Sequence, residues 1–126
     1  MLLSVLVVDD DAEFRGWIAS ALADLAVVQT VATPAEALWA LERKRVDLLV
    51  CDWRLATSTT GLEVLAAAKE FWPRVGRVLV TGYGHEIDCE VSAHAIIGKP
   101  CDEGALRELL RLVPLLTEVT RSEALW

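Results

Sequence analysis

Four short apolar runs stop abruptly at polar residues, and no other feature limits the fold of this chain as much. Leu2–Val8 runs into Asp9-Asp10-Asp11, Val46–Cys51 into Asp52, Val78–Val80 into Thr81, and Ala95–Gly98 into Lys99-Pro100. Short runs rich in Val, Ile and Leu read as strands covered on both faces, the signature of a parallel sheet. In such a sheet the ligand site lies beyond the carboxyl ends of the strands. That edge gathers the carboxylates of Asp9, Asp10 and Asp52, the Thr81 hydroxyl and the Lys99 ammonium. Crowded carboxylates call for a cation, and a lysine beside them calls for an anion. A metal-assisted phosphoryl acceptor fits that set better than a structural cluster does.

Helical patterns separate the runs. Phe14, Trp17, Ile18, Ala21, Leu22 and Leu25 repeat at helical spacing and predict a first helix over about Ala12–Leu25. Ala26–Ala32, with its β-branched residues, reads as strand two. Thr33-Pro34-Ala35-Glu36 is a helix start, with a Thr cap, Pro at the first helical position and Glu to complete a capping box. Ala37, Leu38, Leu41 and Trp39 are the expected buried stripe of that helix. Strand three is Val46–Asp52, and a third helix follows the polar loop 56–61, through Leu62 to Trp72, until Pro73 ends it. Strand four is Arg77–Thr81 and strand five Ala95–Gly98. Asp102 caps a last helix through Leu106, Leu109, Leu110 and Val113, which Pro114 breaks.

This alternation predicts an α/β fold, a doubly wound five-stranded parallel sheet with right-handed crossovers. Tyr83–Ala93 is close to the minimum for a crossover, ~10–12 residues, so the fourth helix is expected to be short or irregular. Residues 1–113 form one domain and 114–126 a tail.

Charge and cysteine usage narrow the functions. Twelve Lys and Arg against 19 Asp and Glu leave a net charge of −7, which argues against direct nucleic-acid binding. Cys51, Cys89 and Cys101 have no C-x-x-C spacing and read as reduced thiols of a cytoplasmic protein. No apolar stretch approaches the ~20 residues that span a bilayer, so no membrane insertion is expected. The N-terminus lacks the basic region of a signal peptide.

Taken in order, Val-Val-Asp9-Asp10, Cys-Asp52-Trp-Arg, Leu-Val-Thr81-Gly and Gly-Lys99-Pro100 make the chain resemble the receiver domain of two-component response regulators. The likeness spans roughly Leu3–Val113. It implies a flavodoxin-like strand order 2-1-3-4-5 and a phosphoacceptor function. Asp52 would take a phosphoryl group from the phosphohistidine of a histidine kinase or histidine phosphotransfer domain. Asp10 and Asp52 would ligate Mg²⁺ (or Mn²⁺) directly, Asp9 would assist, and the main-chain carbonyl of Arg54 would be the further protein ligand. Lys99 and the Thr81 hydroxyl would hold the phosphoryl oxygens. Such a protein is a signalling phosphoacceptor that assists its own phosphorylation and dephosphorylation, not an enzyme on other substrates.

The chain departs from the family pattern in places. Leu55-Ala56 replaces the usual Met-Pro pair, and Gly61 falls one residue late. Arg54 and Tyr83 flank the site and are assigned to access and to the rate of phosphate loss. Ile96 stands where many receivers have an aromatic switch residue, so a monomer is expected. Thr81-Gly-Tyr-Gly and the missing Met-Pro look similar to receivers attached to hybrid histidine kinases. The alternative is a receiver-like interaction module that works without phosphorylation. Asp11 reads as a helix cap, Trp53 as packing, and His85 and His94 as surface or loop residues.

Overall fold

The computed structural model describes residues 2–55, 60–82, 92–111 and 113. Five parallel strands form one sheet in the order β2-β1-β3-β4-β5: β1 (Leu3–Val8), β2 (Ala26–Val31), β3 (Leu48–Asp52), β4 (Gly76–Thr81) and β5 (Ala95–Gly98). Helices α1 (Ala12–Leu22), α2 (Pro34–Arg43), α3 (Gly61–Phe71) and α4 (residues 103–111) flank it. The expected short fourth crossover helix, most of the loop after Leu55, Tyr83, His85, Cys89 and the tail lie outside the described residues.

Strand alternation divides the core in two. Leu6, Val8, Leu49, Cys51 and Leu79 pack toward α2 and α3. Val5, Val7, Leu48, Val50, Val78 and Val80 pack with Ile18 and Leu22 of α1 and with Leu106, Leu110 and Val113. Both faces are covered, which is why the strands read as continuous apolar runs.

Element ends shift from the sequence expectation for visible reasons. α1 stops at Leu22, not Leu25, because Arg107 takes the Ala21 carbonyl at 3.1 Å and the Leu25 N–H turns back to the Leu22 carbonyl at 2.9 Å. β3 begins at Leu48 because the Asp47 carboxylate accepts the Ser4 N–H at 2.8 Å. Thr33 caps α2 as expected, but Glu36 closes the box by accepting from the Thr33 hydroxyl at 2.9 Å. Trp17 and Trp39 leave the expected buried stripes. They are 38% and 51% exposed, and the Trp39 ring carries the Arg43 guanidinium 4.7 Å from its centroid. His94 is a loop residue as expected, half-buried in the bend before β5, but it is tied in: its Nδ1 accepts the Arg77 N–H at 3.0 Å and its own N–H donates to the Arg77 carbonyl at 2.8 Å. These bonds start the β4–β5 pairing.

Candidate functional site

Strand register assembles the site. Val8 aligns with Cys51, Asp52 with Val80, and Thr81 with Gly98. Asp9 and Asp52 therefore leave neighbouring strands side by side, and Lys99 follows directly on the residue opposite Thr81. By alternation Asp9, Asp52 and Lys99 project to the α1 side of the sheet.

The three consecutive aspartates divide their tasks. Asp9 is fully buried, and its Oδ1 accepts the Asp11 N–H at 2.9 Å. Asp10 is exposed beside it. Asp11 is the cap of α1, accepting from the N–H groups of Glu13 at 3.0 Å and Phe14 at 3.4 Å. The Asp11 reading thus holds, and α1 leaves Asp9 and Asp10 at its positive end.

Asp9, Asp10 and Asp52 each bring an oxygen within 4.8 Å of the others. Lys99 Nζ lies 2.7 Å from Asp9 Oδ2 and 3.5 Å from Asp52 Oδ2. Burial first, then the Asp9 and Asp10 charges, push the Asp52 carboxyl from 3.8 up to about 6 against the opposing pull of Lys99. For Lys99, burial works against the charge. The Asp9 hydrogen bond and the Asp52 charge outweigh it and hold the ammonium above its ordinary value. The pocket thus holds more negative charge than one lysine neutralises. Three hard carboxylate donors at this spacing suit Mg²⁺ or Mn²⁺, which keep waters beside one or two carboxylates.

Thr81 is buried at the end of β4, its carbonyl accepting the Lys99 N–H at 3.0 Å. Gly82 is exposed, and a Cβ there would meet nothing within 4 Å. Arg54 is exposed, its guanidinium 5.4 Å from the centroid of the half-buried Trp53 ring. Cys51 is buried among apolar neighbours, and burial, then the Asp52 charge, raise its thiol far out of reach of ionisation.

Sequence reasoning missed three supports. The Phe14 ring lies 4.5 Å below Lys99 Nζ, and a ring face attracts an ammonium there. Arg15 donates to the Asp9 carbonyl at 2.7 Å. Gly61, counted as displaced by one residue, is wedged against the acceptor strand: its N–H donates to the Trp53 carbonyl at 2.9 Å, and an added Cβ would fall 1.8 Å from the Asp52 carbonyl oxygen. Only Gly61 had a signal in the sequence, as the one small residue available at the start of α3.

The family model of the response regulator receiver domain matches residues 5–111. Among curated proteins, the hydrogenase transcriptional regulatory protein HoxA of Cupriavidus necator is 35% identical over 80 residues, 64% of this chain and 16% of that protein. An NtrX-like response regulator of Rickettsia bellii is 30% identical over 95% of this chain and 26% of its own length. The chain thus spans about a quarter or less of these relatives. A CheY-like receiver domain from Methanospirillum hungatei superposes with a TM-score of 0.79 at 26% identity, covering 98% of this chain and 99% of that one. The fold is also that of TrrA from Thermotoga maritima, solved with Mg²⁺–BeF, with a TM-score of 0.82 at 23% identity over 89% of this chain and 99% of that one.

Proposed function

This chain belongs to the response regulator receiver domain family, and from that premise we propose that Asp52 is its phosphoryl acceptor. The observation that carries the reading is the placement of the Asp52 carboxylate 3.5 Å from Lys99 Nζ, in a nest with the Asp9 and Asp10 oxygens. An Asp52 oxygen attacks phosphorus of a phosphohistidine on a histidine kinase or phosphotransfer domain. The new P–O bond forms as the P–N bond breaks, and the imidazole nitrogen leaves with the electron pair and takes up a proton.

Two anions meet in that step, so catalysis is chiefly neutralisation and positioning. Lys99 supplies a compact charge that can shift from Asp9 to a phosphoryl oxygen. Asp9, Asp10, Asp52 and the Arg54 carbonyl would hold Mg²⁺ or Mn²⁺, which offsets charge on the transferring group when bound. The Thr81 hydroxyl donates to a second phosphoryl oxygen and draws its loop inward, a local charge event that biases a two-state surface. The same groups assist hydrolysis of the acyl phosphate.

Among the described residues no helix is long and apolar enough to cross a membrane. The cytoplasm is the proposed location, in keeping with kinase partners. Attachment to a hybrid histidine kinase rests on Thr81-Gly-Tyr-Gly and Leu55-Ala56, and the length of the natural open reading frame tests it. Arg54 and Tyr83, two residues past Asp52 and Thr81 in the sequence, are assigned to access and to the rate of phosphate loss. The R54A/Y83A variant is expected to shorten the half-life of the acyl phosphate several-fold, and an unchanged half-life refutes that role.

Intact mass after incubation with Mg²⁺ and acetyl phosphate tests the assignment. The wild type is expected to gain a phosphoryl mass that is lost in Asp52→Ala and after chelation. No gain, together with no binding of beryllofluoride, would leave the phosphorylation-independent interaction module.

A further inference from the structure

A second concave feature lies at the opposite edge of the sheet. β3 and β4 start there and end at Asp52 and Thr81, so it is one strand length from the acceptor. It is an open furrow of about 380 Å³ between the C-terminal ends of α2 and α3. Leu41 and Val75 form its buried floor, and Phe71, 65% exposed, and half-buried Trp72 form a wall. Among the described residues that line it, the charged ones are all cations: Lys44, Arg45 and Arg74. The chain as a whole carries 12 cations against 19 carboxylates, so this sign is opposite to that of the protein.

Local structure accounts for part of this charge. Lys44 follows the last turn of α2 and complements its dipole, and Arg45 pairs with Asp47 at 3.3 Å. Arg74 lies past the cap of α3, in the turn into β4, where the dipole effect has faded. No carboxylate among the described residues lies in ion-pair range of Lys44 or Arg74.

We propose that this furrow docks an acidic segment of a partner protein that inserts one or two bulky apolar side chains against Phe71 and Trp72 while its carboxylates meet Lys44 and Arg74. Charge complementarity selects the acid, and the apolar floor selects the side chain. The open shape favours a peptide over a free small ligand, which needs most of its surface covered. A second copy fits poorly, since a two-fold contact sets identical cationic rims against each other. An anionic membrane is opposed by the net charge of −7.

The test is a ¹⁵N–¹H titration of the whole chain with a nine-residue peptide of Asp and Glu around one Trp and two Leu. A control peptide carries Lys in place of each acid. Shifts confined to residues 41–46 and 71–75, absent with the control and weakened at least tenfold in Lys44→Glu/Arg74→Glu, support the site. Phe71→Ser, which keeps the charges, is expected to weaken binding as well. Shifts elsewhere, none at millimolar peptide, or binding indifferent to charge reversal overturn it. So does concentration-dependent dimerisation abolished by the same reversal, which makes the occupant a second copy.

Discussion

Asp52 is penalised for its charge by the fold that positions it. Its carboxyl rises from 3.8 to about 6, so the folded chain holds this proton more tightly than the unfolded chain does. The sign follows: stability from this group is greatest below about pH 4, falls as pH rises toward 6, and stays low above it. Asp52→Asn removes the penalty. At pH 7.5 without divalent cations the variant is expected to be more stable by about 1–3 kcal/mol, and the difference should shrink toward pH 4. Urea unfolding at both pH values measures this, and equal stability at pH 7.5 would sink the reading of a strained carboxylate. Added Mg²⁺ should raise the melting temperature of the wild type more than that of the variant, because it offsets the charge that Asn lacks. On the function proposed above, the same crowding is an asset. A carboxylate cluster short of positive charge is ready to take a cation, and Lys99, held between Asp9 and Asp52, has only a short way to move to meet a phosphoryl oxygen.

Elements matter here through their ends, because every functional group sits where a strand stops or a helix starts. Gly61 opens α3 against the Asp52 carbonyl, with a virtual Cβ 1.8 Å from that oxygen. Gly61→Ala must therefore push α3 off β3. It is expected to cost about 3 kcal/mol, at the upper end for overpacking, and to slow phosphorylation of whatever remains folded; a melting temperature within experimental error of wild type would contradict the wedge. At the other end of the sheet, His94→Ala leaves the Arg77 N–H without its imidazole partner, at a cost of about 1–2 kcal/mol, with the earliest hydrogen-exchange changes in β5. A variant with β5 protection equal to wild type would show that this imidazole does not anchor the strand. Such contacts also mark how far the sequence could be read. The strands, their polar endings, the Asp11 and Thr33 caps and the gathering of Asp9, Asp10, Asp52, Thr81 and Lys99 follow from patterns of two, three or four residues. The early end of α1 does not, because it depends on Arg107, 86 positions from Ala21. Nor do the exposure of Trp39, the contact of Phe14 with Lys99, or the grip of Arg15 on the Asp9 carbonyl. Each depends on a neighbour that only the packed helices supply.

For the whole molecule, the expectation is a receiver domain that does not pair on activation. β5 is an edge of only four residues, and its residue in the usual switch position, Ile96, is 52% exposed. A β-branched side chain is stiff at χ1 and carries no ring to swing inward. Charge acts in the same direction, since two copies at −7 repel and a phosphoryl group adds about −1.5 to −2 more to each. The activated domain is therefore expected to remain a monomer. Light scattering on the chain with Mg²⁺ and beryllofluoride, against the untreated chain at the same concentration, decides this. An unchanged mass supports that expectation. A doubled mass on activation would mean that the β5 edge closes a symmetric interface without an aromatic switch, and that the repulsion between copies is outweighed by contacts made only in the activated state.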